Sequence, residues 1–212
     1  MTATLDHPEY TSIIDRLFAD AQRDADRRQG ISPSDYTVED RAEAFQDVYL
    51  SVAPDSGRLL YSLVRALKPT TIVEYGMSYG ISTLHLAAAV RDNGTGHIIT
   101  TEMSSRKLAA ARATFAEAGV SDLITILEGD ARTTLKTISE PVQFVLLDGW
   151  PDLDLTVIKL LEPVLETGAL IVGDNVNLDP THAYLDYVRA PENGYVSSPL
   201  ALDTGLELAV RV

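Results

Sequence analysis

Thr71-Ile-Val-Glu-Tyr-Gly-Met-Ser-Tyr-Gly-Ile-Ser-Thr83 decides the fold, because a short β-branched run breaks into two glycines and then into an apolar, alanine-rich segment. The pattern reads strand, tight turn, helix. In an open α/β sheet, ligands settle outside the carboxyl ends of the strands, where such a turn exposes helix N–H groups and admits another molecule close to the backbone. Gly76 and Gly80 supply that clearance. The dinucleotide fingerprint G-x-G-x-x-G would also need glycine where Ser78 and Ile81 stand, which disfavours a nicotinamide or flavin cofactor.

Working outward, the 212 residues fit one domain, 1–212, long enough to bury a substantial core. With 45% hydrophobic and 23% charged residues the composition is that of a soluble globular protein, and no apolar run is long enough to span a bilayer. The opening Met1-Thr-Ala-Thr-Leu-Asp-His-Pro8 has neither a basic cluster nor an apolar core, so no signal peptide is expected and the cytoplasm is the expected location. The absence of cysteine excludes disulfides, thiolate catalysis and cysteine-held zinc, leaving oxygen ligands or the four histidines for any metal. A net charge of −14 repels a phosphate backbone, so nucleic acid is not an expected partner, and neither is a membrane.

Upstream of the turn, apolar residues at three- and four-residue steps predict helices over Tyr10–Arg28, Val38–Tyr49 and from Pro54 to Leu67. Residues 1–51 are expected to form a helical cap over the turn or a dimer surface, and 52–212 the core. Downstream, strands are expected at His97–Thr101, Ile124–Leu127, Val142–Leu147 and Ala169–Val172, alternating with helices at Ile81–Arg91, Ser105–Ala118, after Asp130 and at Leu153–Leu165. Two last strand-like runs around Asp203-Thr-Gly205 predict an antiparallel edge hairpin. The fold class is therefore α/β: a doubly wound, mainly parallel, seven-stranded Rossmann-like sheet with N-terminal helices.

Carboxylates close five successive strands: Glu74, Glu102, Asp130, Asp148 and Asp174. Glu102, at the end of the second strand, is placed to accept hydrogen bonds from ribose hydroxyls. Asp130 suits a helix N-cap, with an adenine amino group as a second partner, and Met103 suits either an adenine face or the core. Asp148 with Asp174-Asn175 offers three oxygen ligands on adjacent strands, a hard set for Mg²⁺ or Ca²⁺ that leaves positions for water and substrate.

From about Val52 to Val212 the chain resembles the class I S-adenosylmethionine (SAM) dependent methyltransferases, in particular the cation-dependent O-methyltransferases of the catechol and caffeoyl-CoA type. The Glu74/Gly76/Gly80 motif, Glu102, Gly129-Asp130-Ala131, Asp148 and Asp174-Asn175 carry the likeness. It implies a SAM site of Glu74, Gly76, Ser78, Gly80 and Ser82 around the methionine part, with Glu102, Met103, Asp130, Ala131 and Asp148 completing it. Asp148, Asp174 and Asn175 would hold Mg²⁺, and Asp148-Gly-Trp150 places Trp150 in the acceptor wall, with Tyr184 in a loop nearby. Where the family carries a lysine base, three residues after the first metal aspartate, this chain has Pro151. Asp148 and His182 are then the catalytic candidates, with Asp152 a further proton acceptor. The expected activity is methyl transfer from SAM to an oxygen of a small phenolic or catechol-like acceptor by a homodimer. The alternatives are a metal-independent N- or O-methyltransferase and a SAM-binding protein without catalysis.

Overall fold

The β-branched and continuous apolar runs become strands β1 (Thr71–Tyr75), β2 (His97–Glu102), β3 (Ile124–Glu128), β4 (Val142–Leu147) and β5 (Leu165–Gly173). The tail adds β6 (Tyr195–Leu200) and β7 (Leu206–Arg211). In the computed structural model, which describes residues 2–212, they form one sheet of order β3-β2-β1-β4-β5-β7-β6. The first five strands are parallel, and β7 pairs antiparallel with both β5 and β6. The chain leaves β1 toward β2 on one side and returns to β4 on the other, so the carboxyl ends of β1 and β4 flank a topological switch point. A crevice forms there because the connections diverge.

Helices are α1 (Pro8–Ala21), α2 (Asp24–Arg27), α3 (Val38–Ala44), α4 (Pro54–Leu67), α5 (Ile81–Asn93), α6 (Ser105–Glu117), α7 (Ala131–Thr134), α8 (Asp154–Leu161) and α9 (His182–Arg189). The pleat sends Ile72 into one core and Val73 and Tyr75 into the other. The first core holds Leu84 and Leu86 of α5 with Ile13 and Leu17 of α1, Val64 of α4 and Phe115 of α6. Every residue from Ile81 to Val90 is buried, because α1 and α4 cover the side of α5 that faces away from the sheet. Val64 and Leu84 are fully buried and contribute about 2 kcal/mol each by apolar area. The second core packs Val157, Ile158 and Leu161 of α8 and Tyr184, Leu185 and Val188 of α9 on the other sheet face. Among the described residues no helix is long and apolar enough to cross a membrane.

Three expected elements differ. The helix predicted over Tyr10–Arg28 breaks after Ala21, because Asp24 turns inward to accept hydrogen bonds from Tyr49 N (3.0 Å) and Leu50 N (2.9 Å). The Val38–Tyr49 helix stops at Ala44, where Phe45 turns into the core against Trp150 and Leu50 takes a left-handed conformation. The segment around His182 and Tyr184 is a helix, α9, and not a loop; its buried Tyr184, Leu185 and Val188 follow the three- and four-residue spacing of an amphipathic helix. In addition α8 ends at Leu161, because Pro163 lies in the turn beyond it, and β5 starts at Leu165, earlier than expected.

Candidate functional site

Past the last residue of each inner strand the parallel ladder continues by one hydrogen bond. Met77 N donates to Thr101 O, Asp148 N to Tyr75 O and Asp174 N to Leu147 O at 2.9 Å, and Gly129 N to Glu102 O at 2.8 Å. The strand-end carboxylates are therefore held by the sheet, and free loops do not carry them. Gly76, at φ +96°, brings its turn so near β4's end that a Cβ there would lie 2.5 Å from Asp148 O and 2.6 Å from Gly149 Cα. Gly149 in turn lies flat on the Tyr75 ring, 2.3 Å from where its own Cβ would stand. Only glycine permits this contact between the two loops. Above it opens a cavity of about 580 Å³, a volume suited to one small ligand and a second reactant.

At the β2 and β3 end the cavity is lined by Glu102, Met103, Gly129, Asp130 and Ala131. Glu102 organises this end: Oε2 accepts from Ser78 N (2.9 Å), and Oε1 from Met103 N (2.8 Å) and Ser104 N (2.7 Å). Three backbone N–H groups thus converge on one carboxylate. Asp130 caps α7 through Arg132 N (2.8 Å) and grips the Arg132 guanidinium, which holds its carboxyl below the usual range. Arg132 reaches on to Glu39 of α3, so the N-terminal cap is tied to the rim. The cap also meets the glycine turn directly: Ser78 Oγ donates to Tyr49 O (2.5 Å), Tyr79 Oη to Gln46 O (2.7 Å), and the Tyr49 and Tyr79 rings stack 4.0 Å apart.

Glu74 sits elsewhere. It is fully buried behind the turn, where Oε2 accepts from Thr83 Oγ1 and Thr100 Oγ1, both at 2.6 Å, while Oε1 has no partner. Burial pushes its carboxyl up, and the two hydroxyls only partly offset this. Glu74 braces the start of α5 from beneath and does not line the cavity. Gly80 lies against the Phe115 ring, and Ser82 opens onto a small adjoining cleft shared with Ser78 and Asp148.

At the β4 and β5 end, Asp148, Asp174 and Asn175 come together. Asn175, in a left-handed conformation that asparagine tolerates, places Nδ2 3.4 Å from Asp148 Oδ1 and 3.3 Å from Asp174 Oδ2. Burial and the neighbouring Asp174 push the Asp148 carboxyl well above its ordinary value, and burial raises Asp174 as well. Asp174 Oδ1 is buried without a partner. A carboxylate facing the cavity beside a buried one with an orphaned oxygen fits a cation. Asn175 Oδ1 accepts from Thr204 Oγ1 (3.0 Å), a hydroxyl that can also accept, so flipping the amide turns its oxygen toward the carboxylates without losing that bond. Among the described residues no group of three His, Cys, Asp or Glu side chains converges on a metal; this set has two carboxylates and one amide.

Trp150 walls the same end of the cavity. Tyr75 Oη accepts from Trp150 N (3.1 Å), Phe45 packs edge-on to the indole at 5.3 Å, and the Arg41 guanidinium lies 5.2 Å from its ring centre. Arg41 is also paired with Asp152 (2.7 Å), so this wall carries no net charge. Pro151 lines the cavity and offers no proton-accepting group.

One cavity thus gathers Gly76, Ser78, Glu102, Met103, Asp130, Ala131, Asp148, Trp150 and Asn175 of the sequence-predicted residues. Six do not line it: Glu74, Gly80 and Ser82 lie behind or beside the turn, Asp174 is buried next to Asp148, and His182 and Tyr184 lie on α9. His182 is exposed at the start of α9, and Tyr184 is buried in the second core, its ring against Gly173, because α9 turns that face to the sheet. Among the lining residues that the sequence reading does not single out are two cationic side chains, Arg41 and Lys107. For Lys107 a signal exists: it falls on the buried stripe of α6 with Leu108, Ala111 and Phe115.

Residues 73–176 match the sequence signature of a methyltransferase domain. The chain is 30% identical over 147 residues to catechol O-methyltransferase B of Danio rerio, covering 66% of this chain and 55% of that protein. It is 29% identical over 128 residues to the catechol O-methyltransferase of Mycobacterium tuberculosis, covering 60% and 57%. The chain thus spans little more than half the length of these relatives. Its fold is that of the O-methyltransferase TomG from Streptomyces achromogenes, solved with SAM, with a TM-score of 0.71 at 20% identity over 92% of this chain and 98% of that one. It also matches a Bacillus cereus O-methyltransferase solved with S-adenosylhomocysteine (SAH), with a TM-score of 0.69 at 19% identity over 92% and 100%.

Proposed function

The chain carries the class I methyltransferase fold and, over residues 73–176, the signature of a methyltransferase domain, and from that premise we propose that it moves the methyl group of SAM to an oxygen of a small phenolic or catechol-like acceptor. One observation carries the reading. A single cavity joins Glu102 and Asp130 at one end to Asp148, Asn175 and Trp150 at the other, across the switch point where the glycine turn lies.

Gly76, Ser78, Glu102, Met103, Asp130 and Ala131 would hold SAM, with the open acceptor position on Glu102 Oε2 suited to a ribose hydroxyl and the Met103 side chain to a base face. Asp148, Asp174 and Asn175 would hold a divalent cation such as Mg²⁺, which when bound lowers the pKa of the acceptor hydroxyl, a task left to it by Pro151 in place of a base. The transfer breaks the sulfonium S–CH₃ bond, leaving the thioether SAH, forms an O–CH₃ bond, and passes the proton of the acceptor hydroxyl to water in the open cavity. The chain's own part is placement. Trp150, fixed by Tyr75, Phe45 and Arg41, gives a flat apolar wall for an aromatic acceptor, and α3 closes the cavity above it.

The test is SAH formation from SAM with a panel of catechols, with and without Mg²⁺, beside calorimetric binding of SAH. The expected result is transfer that EDTA abolishes and Mg²⁺ restores, and that Asp174→Ala removes while SAH still binds. Transfer that survives both chelation and Asp174→Ala would overturn the cation's role, and a wild-type protein that binds no SAH would overturn the whole reading.

A further inference from the structure

Lys107 has no counterpart in the site described so far. It sits at the third position of α6 after the Ser104 cap, is 5% exposed, and lines the large cavity beside Glu102 and Met103. Among the described residues it forms no ion pair within 4.0 Å, and its only hydrogen bonds are those of its backbone. The Tyr79 ring centre is 5.9 Å from Nζ, at the outer limit of a cation–π contact. Burial lowers the proton affinity of the amine, and the charges of Glu102, Asp24 and Asp148 restore part of it. The side chain is thus nearly buried while its ammonium, which the protein pairs with no carboxylate, keeps access to the cavity, so a ligand oxygen there would supply the partner it lacks.

Which ligand group can do so follows from Glu102, which lines the same cavity. Its Oε1 is filled by Met103 N and Ser104 N, and its Oε2 accepts from Ser78 N with one position open. A carboxylate on the ligand would suit Lys107 and be repelled by Glu102; an amine would suit Glu102 and be repelled by Lys107. Hydroxyls on adjacent carbons suit both, since each hydroxyl donates and accepts. The geometry points to a two-sided diol clamp: Glu102 accepts a hydrogen bond from one ribose hydroxyl, and Lys107 donates one to the oxygen of its neighbour. The inference rests on the SAM reading above and adds to it a second ribose-binding residue from α6.

The test compares wild type, Lys107→Met and Lys107→Gln by calorimetry with two probes, SAH and 5′-methylthioadenosine, which keeps the diol and lacks the amino-acid part. Lys107→Met should weaken both probes by the same factor, roughly tenfold or more, as expected for one lost charged hydrogen bond. The ligand-free melting temperature should hold or rise, because a charge that no carboxylate of the protein pairs is gone. Lys107→Gln keeps an N–H donor and should fall between the two; it replaces the Met variant if that one fails to fold. A loss confined to SAH would assign Lys107 to the amino-acid carboxylate and overturn the clamp, and unchanged affinity for both probes would overturn it equally. If wild type binds neither probe, the SAM reading itself fails, which separates that failure from the failure of the clamp.

Discussion

Glu102→Ala tests the organisation of the cofactor end most directly, because the carboxylate holds the protein together there as well as facing the cavity. Its two oxygens accept from three backbone N–H groups at 2.7 to 2.9 Å, those of Ser78 in the glycine turn and of Met103 and Ser104 at the entry to α6. Truncation leaves all three without an acceptor; Ser104 is buried, while Ser78 and Met103 have partial access to water. At about 1 kcal/mol per lost bond, the cost is about 3 kcal/mol of stability. For a chain of this size that corresponds to a fall in melting temperature of roughly 6–12 °C. Loss of the ribose acceptor should in addition weaken SAH by about 1–3 kcal/mol. Glu102→Gln keeps one oxygen for Met103 and Ser104 and turns an NH₂ toward Ser78 N, so it should fall between wild type and the alanine variant in both measurements. The assays are ligand-free thermal unfolding by circular dichroism and calorimetric titration with SAH. An alanine variant that melts with wild type would show that Glu102 does not support the turn, and unchanged SAH affinity would remove it from the cofactor site.

Two further outcomes follow from buried groups and close contacts. Asp154 is 2% exposed with Oδ1 unpartnered, and burial, then Asp152 and Asp174, raise its carboxyl well above the ordinary value near 4. A group whose pKa is raised by folding contributes stability that is complete below its unfolded pKa and is lost as pH rises through the folded one, so Asp154→Asn should gain on wild type as pH rises above about 4 in paired urea titrations; a difference that stays constant with pH would refute this. Gly149→Ala would drive a methyl group into the Tyr75 ring, whose hydroxyl anchors Trp150 N. It should destabilise the protein by about 1–3 kcal/mol and change the intrinsic fluorescence of Trp150, the single tryptophan; an unshifted spectrum in a folded variant would show that the wall does not depend on this contact.

The order of elements and the position of each strand-end carboxylate were legible in the sequence, because both depend on neighbours. Val142–Leu147 is apolar along its length because both faces are covered, and the Asp148 that follows must leave the sheet at its carboxyl edge. The glycine turn reads the same way, since Gly76 and Gly80 stand where the backbone needs positive φ. What each acid then does depends on residues far away in the chain. Glu74 and Glu102 both end strands, yet Thr83 and Thr100 seal the first below the turn, while the second meets Ser78 N across the switch point and faces the cavity. Trp150 and Tyr184 are both aromatic and follow strand ends, but Tyr75 holds one in the cavity wall, and the packing of α9 on Gly173 buries the other. Lys107 reads as one more helix-surface lysine until α6 is laid on the sheet, and Asp24 as one more surface acid until the chain returns at Tyr49 and Leu50 to need its oxygens. Periodicity and turn chemistry act over a few residues and determine the elements, whereas burial and hydrogen-bond partnership arise only when distant segments meet and so were decided by the tertiary structure alone.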